Sequence, residues 1–128
     1  MKKTERVEPE LIYKMLFNEK KYVAEFSEAS IQSFSEFRTD YTANMNARDL
    51  EDLRRAGHKI KPVVEMLHLG EILEEYENAK SLIVGNAPDD ELNRSIEKME
   101  LILEEVIEDF RVILADTNLK PGNSETGS

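Results

Sequence analysis

Between a handful of punctuation marks, this chain repeats its apolar residues every three or four positions and nowhere alternates them as a strand would. Apart from the ends, glycine and proline occur at Pro9, Pro62, Gly70, Gly85 and Pro88, with Gly57 alone set inside an otherwise helical stretch. A spacing of three and four puts apolar side chains on one stripe of an α-helix, so the chain is predicted to be all-α. Its 128 residues suffice for one core and are few for two. The absence of cysteine removes disulfides, thiolate chemistry and cysteine-based zinc sites, so packing must carry the fold.

Five helices are expected. Pro9 suits the first turn of a short one over about residues 9–17, with Leu11, Ile12, Met15 and Leu16 as its apolar face. Asn18 would cap a second over about 19–43, striped by Val23, Phe26, Ser30, Phe34, Phe37 and Tyr41 and broken at residues 44–46. Asn46, with Asp49 as reciprocal partner, would cap a third, whose seam is Leu50, Leu53, Gly57, Ile60, Val64 and Leu67 and whose end places Gly70 in the left-handed conformation. The fourth, about 71–84, buries Leu73, Tyr76 and Ile83 and stops at Gly85. Asp89 or Asp90 would cap the longest, where Leu92, Ile96, Met99, Leu103, Val106, Phe110 and Ile113 form a continuous seam.

Short connections force neighbouring helices to reverse direction, so four long helices imply an antiparallel up-and-down four-helix bundle, with the short extra N-terminal helix over one end. The expected domain is residues 1–115, followed by a disordered C-terminal tail over 116–128 that lacks apolar periodicity. Thr4, Glu5 and Arg6 follow Met1, Lys2 and Lys3 where a signal peptide would turn apolar, and no later run approaches a membrane span, so a cytoplasmic location is expected. The formal net charge of −10 opposes nucleic acid and anionic membranes as partners.

Against that acidic background, Arg54, Arg55, Lys59 and Lys61 crowd around His58. The seam of the third helix sets a core direction, and His58 lies about 130° from it at 100° per residue. The imidazole is therefore predicted to face solvent, with Arg54 one turn before it, Lys61 one turn after it and Arg55 and Lys59 at its sides. A neutral imidazole attacks phosphorus without a separate base, and the phosphoramidate it forms gives the group up again readily. Lys61 would neutralise the phosphoryl oxygens as a point charge. Gly57 costs about 1 kcal/mol of helix propensity relative to alanine, which argues that another helix needs its space.

Gly57, His58, Lys59, Ile60 and Lys61, on the third element of an acidic helical chain, resemble the phosphorylation motif of histidine-containing phosphotransfer (HPt) domains: a small residue, the accepting histidine, two residues of which the second is apolar, then lysine. Phe26, Phe34 and Phe37 resemble the aromatic seam of the family's preceding helix, and the resemblance covers about residues 18–114. It implies a phosphorelay intermediate of two-component signalling, in which His58 takes phosphate from a receiver-domain aspartyl phosphate and passes it to another receiver aspartate. Such a carrier has no kinase activity of its own and no bound cofactor, since Mg²⁺ belongs to the partner receiver. Response-regulator receivers and a hybrid sensor kinase are the implied partners, and a monomer is expected.

The flank departs from the family pattern. Pro62 replaces the usual glycine after the lysine and cannot donate to the carbonyl of His58, so a bend is expected there. Glu65 adds bulk and negative charge to the strip that carries His58. Together Arg54, Arg55, Gly57, Lys59, Pro62 and Glu65 form the expected docking surface.

Other readings are weaker. Glu65 and His68 match one half of a di-metal Glu-x-x-His arrangement, but the second half and the extra carboxylates are missing, so no metal is expected and His68 reads as a partly buried packing residue. The glutamates Glu74, Glu75 and Glu77, and Glu104, Glu105 and Glu108, read as solvated outward faces. The alternative of another class is a helical protein-interaction module without phosphotransfer activity.

Overall fold

A computed structural model describes residues 3–119. Those residues are all-helical and contain no strand: α1 is Pro9–Met15, α2 Lys20–Ala47, α3 Leu50–Met66, α4 Gly70–Val84 and α5 Asp89–Asp116. By internal contacts the chain divides into two units. One holds the residues up to Ser33 with those from Glu105 onward; the other is Phe34–Glu104.

The second unit carries His58. Its buried positions follow the predicted stripes: Phe34, Phe37 and Tyr41 from α2, Leu53, Gly57, Ile60 and Val64 from α3, and Leu92, Ile96, Met99 and Leu103 from α5. Helix α2 continues past the expected break, because Met45, one turn beyond Tyr41, is itself fully buried and extends the apolar stripe through the asparagines. Asn46 is therefore helical, and the cap of α3 is Asp49, whose carboxylate accepts the backbone N–H of Asp52 at 3.0 Å. That bond satisfies one of the orphan donors of the first turn. Asp89, expected as a possible cap, is the first residue of α5, and its carboxylate accepts from the Arg48 guanidinium at 2.8 Å.

Glycine does not end α3. His68 takes the left-handed conformation, with φ of 58°, while Gly70 begins α4. The N–H of Leu69 reaches back to the Val64 carbonyl at 3.0 Å and that of His68 to Glu65 at 3.2 Å, the paired bonds of a Schellman ending. Buried Leu69 and Val64 supply the apolar positions that accompany this motif, so burial of the flanking residues sets the geometry. Arg48 and Asn86 end α2 and α4 in the same left-handed way.

The inward face of α4 is Ile72, Glu75, Tyr76 and Ala79, while Leu73 and Ile83 are only half-buried. Glu75 is thus not solvated, as its place in an acidic run suggests; it is 5% exposed. Its Oε2 accepts the Ser95 hydroxyl at 2.6 Å and the Asn78 amide at 2.9 Å, and Lys98 lies 3.4 Å from its Oε1. The Tyr41 hydroxyl shares a hydrogen bond with Ser95 at 2.7 Å and reaches the Glu75 carbonyl at 3.4 Å. A buried carboxylate is tolerable when its lone pairs are occupied in this way.

Burial pushes the Tyr41 phenol well up from its ordinary 10.0, the Ser95 hydrogen bond pulls it back in part, and the Glu75 charge adds to the rise. A raised acid favours the protonated fold, so its contribution is complete below the unfolded value and lost as pH climbs towards the folded one. The denaturation midpoint is expected to fall above about pH 10. Urea titrations across alkaline pH check this, with Tyr41→Phe showing a shallower decline.

In the first unit, α1 buries Ile12, while Leu11, Met15 and Leu16 are half-buried, and Phe26 meets the Phe110 ring edge-on with centroids 5.9 Å apart. The segment before α1 is held by Asp109 of α5, which receives the backbone N–H groups of Glu5, Arg6 and Val7 at 2.8, 2.6 and 2.8 Å. Of the expected tail, Asp116 closes α5 and Thr117 is buried, its hydroxyl donating to the Leu114 carbonyl at 2.6 Å; residues 120–128 lie outside the described residues. Among the described residues no helix is long and apolar enough to cross a membrane.

Candidate functional site

The site is built on α3. Leu53, Ala56, Gly57, Ile60 and Val64 are buried, which fixes the helix's rotation. That rotation leaves Arg54, Arg55, His58, Lys59, Lys61, Pro62 and Glu65 exposed. The wheel reading of His58 is thus met in the folded chain. α3 stays helical through Pro62 to Met66, with the carbonyl of His58 denied a donor four residues on by the proline ring.

The cations around the imidazole differ in their engagement. Arg55 is bound by both Glu51, at 2.8 Å, and Asp52. Arg54, Lys59 and Lys61 have no carboxylate partner among the described residues, so their charge faces outward uncompensated in a chain of net charge −10. Of the expected docking residues, Arg55 is therefore the one already spent on its own helix. Met66, 41% exposed, joins Pro62 and Glu65 at the C-terminal end of the strip and was not anticipated.

Gly57 lies where α3 packs on α4. A Cβ added there would overlap the ring and hydroxyl of Tyr76. The space predicted for another helix is filled by a phenol, and Lys80, one turn along α4, places its ammonium 4.7 Å from that ring's centroid. Burial pushes the Tyr76 phenol up; Lys80 and Arg54 draw it down and Glu77 raises it, so the hydroxyl lies within electrostatic reach of Arg54. Helical periodicity marks Tyr76 as a core residue only. The signal that it borders the site was Gly57, whose missing side chain requires a bulky neighbour.

Gly57→Ala tests this packing. Alanine gains about 1 kcal/mol of helix propensity, while forcing atoms into a filled space costs about 1–3 kcal/mol. A lower Tm is expected for Gly57→Ala, with part of the loss restored in a Gly57→Ala, Tyr76→Leu double variant. Thermal denaturation of the set checks it.

His68 is exposed, in place of the partly buried packing position expected for it, because the left-handed ending turns it outward. Among the described residues no group of three or more His, Cys, Asp or Glu side chains is arranged to hold a metal. No family model matches the chain, and neither a curated protein nor a solved structure matches it.

Proposed function

We propose that the chain is a phosphorelay intermediate of the HPt kind, with His58 as phospho-acceptor and Lys61 as the group that stabilises the phosphoryl oxygens. On this reading α2 to α5 form an antiparallel up-and-down four-helix bundle and α1 is its short N-terminal addition. The observation that carries the proposal is the exposed His58 among the unpaired cations Arg54, Lys59 and Lys61 on one face of α3. Such a face suits a compact, dianionic phosphoryl group delivered by an acidic partner surface.

In the forward step an imidazole nitrogen attacks the phosphorus of a receiver's aspartyl phosphate in line. The P–O bond to the aspartate breaks, the carboxylate leaves with the bonding pair, and the phosphoryl group stays on His58. The reverse step returns it to another receiver's aspartate. Mg²⁺ and the acceptor carboxylate come from the receiver, and a hybrid sensor kinase stands upstream. A cytoplasmic monomer without kinase activity of its own completes the proposal.

The test is transfer from a purified receiver, phosphorylated with a small phosphodonor, to this chain, read as acid-labile, alkali-stable label. Absence of transfer across the receivers of the same genome would reject the relay. It would favour an interaction module instead, for which exposed Met66 beside Pro62 and Glu65 supplies a contact surface.

A further inference from the structure

We infer that Tyr76 of α4 is a phosphoryl-positioning residue, its hydroxyl donating a hydrogen bond to a phosphoryl group carried on His58; this rests on His58 being the accepting residue. Around α3, counting from Gly57 at 100° per residue, Lys61, Arg54 and His58 follow at about 40°, 60° and 100°. Lys61 and Arg54 thus stand between Gly57, over which the phenol lies, and His58, and the phenol feels the Arg54 charge on that flank. A phosphoryl group drawn to those two cations is drawn towards the same phenol.

The hydroxyl is available for this contact. No hydrogen bond holds it among the described residues, and Tyr76 has no further interaction beyond those described. Among the described residues the oxygens sealed from solvent without a partner are those of Tyr13 and Ser27, so the Tyr76 hydroxyl keeps a path to water although its residue is 8% exposed. A neutral phenol is a donor, and a phosphoryl oxygen is a strong acceptor. The ring is held from both sides: Gly57 leaves it room, and Lys80, itself 3.0 Å from Glu77, sits over its face. An anchored ring presents its hydroxyl at a fixed place, which is what positioning requires. In a buried position a tyrosine that satisfied only packing needs could be phenylalanine; the hydroxyl over Gly57, unpaired and open to water, is the part of Tyr76 that ring packing does not need.

Potassium phosphoramidate provides a test that uses no receiver. An imidazole nitrogen attacks its phosphorus, the P–N bond breaks, and ammonia leaves after taking a proton. The full chain carrying His68→Asn, a residue that tolerates the left-handed conformation, confines the reaction to His58. Phosphorus NMR of that protein and of its Tyr76→Phe counterpart then reports the contact directly, since phenylalanine keeps the ring and the Lys80 stacking while removing the oxygen.

The expected result is a displaced phosphohistidine resonance and a roughly five-fold shorter phosphohistidine lifetime in Tyr76→Phe, the scale of one lost hydrogen bond. Identical resonances and lifetimes in the two proteins would overturn the inference. Receiver transfer is measured separately. If it fails while the Tyr76→Phe difference stands, the relay is rejected and the Tyr76 contact is kept.

Discussion

Replacing His58 with glutamine is expected to abolish the acid-labile, alkali-stable label altogether, while the fold is untouched. Glutamine keeps a polar group on an exposed helical position, and exposed substitutions of this sort stay within about ±0.5 kcal/mol. Circular dichroism and Tm should therefore match the wild type, so lost label cannot be blamed on unfolding. Neither His68 nor any carboxylate is expected to substitute, because an acyl phosphate on a carboxylate is an alkali-labile mixed anhydride and His68 lies outside the helical strip, with φ of 58°. Label persisting on His58→Gln would reject the site. The neighbouring cations should grade in a definite order. Lys61→Ala, which removes an unpaired charge one turn from the imidazole, is expected to slow transfer on the order of ten-fold, the scale of a charge-assisted hydrogen bond. Arg55→Ala should have little effect on transfer, because Glu51 and Asp52 already hold that guanidinium. Quench-flow transfer from a single receiver distinguishes the two.

The residues that were legible in the sequence share one property: their placement follows from helical periodicity alone. The seams of α3 and α5, the outward turn of His58 and the need for space at Gly57 all depend on 100° steps along a continuous helix. Periodicity is blind to what lies at right angles to it. The end of α2 was set by the burial of Met45, which outweighed two asparagines with poor helix propensity, and the cap moved three residues on to Asp49. The left-handed ending at His68 was decided by the neighbouring Leu69 and Val64, against the usual preference for glycine. Glu75 stood in a run of acids that looked solvated; Asn78 is its i+3 neighbour on the same helix, but Ser95 and Tyr41, which bury it, come from other helices that no local pattern links to it. Tyr76 belongs to the same category. It was visible as a core residue, but its relation to the strip depends on how α4 crosses α3 at Gly57.

Asp109 is the strongest instance, and Asp109→Ala is expected to be the most destabilising single change to a polar side chain described above. Its carboxylate is 2% exposed and receives three successive backbone N–H groups, from Glu5, Arg6 and Val7. Removing it leaves those donors without an acceptor. The Val7 amide is the worst placed, since Val7 is buried at 1% and water cannot easily replace the lost bond. A hydrogen bond to a charged group contributes about 1.5–3 kcal/mol, and three that share one acceptor do not add in full, so a loss of about 3 kcal/mol is expected. For a chain of this length that corresponds to a Tm lower by roughly 10 °C. Asp109→Asn should fall between the two, because its amide oxygen can still accept while its NH₂ opposes a backbone N–H. The Arg6 to Glu105 ion pair, at 2.7 Å, and the Thr4 hydroxyl on the Val7 carbonyl, at 2.6 Å, survive both substitutions, but both depend on the segment that Asp109 orders. Amide hydrogen exchange locates the effect: protection should collapse at Glu5, Arg6 and Val7 in Asp109→Ala before it changes along α3. If those three amides kept their wild-type protection, the carboxylate would not be what holds the N-terminal segment, and the stability loss would have to be assigned to packing around α5.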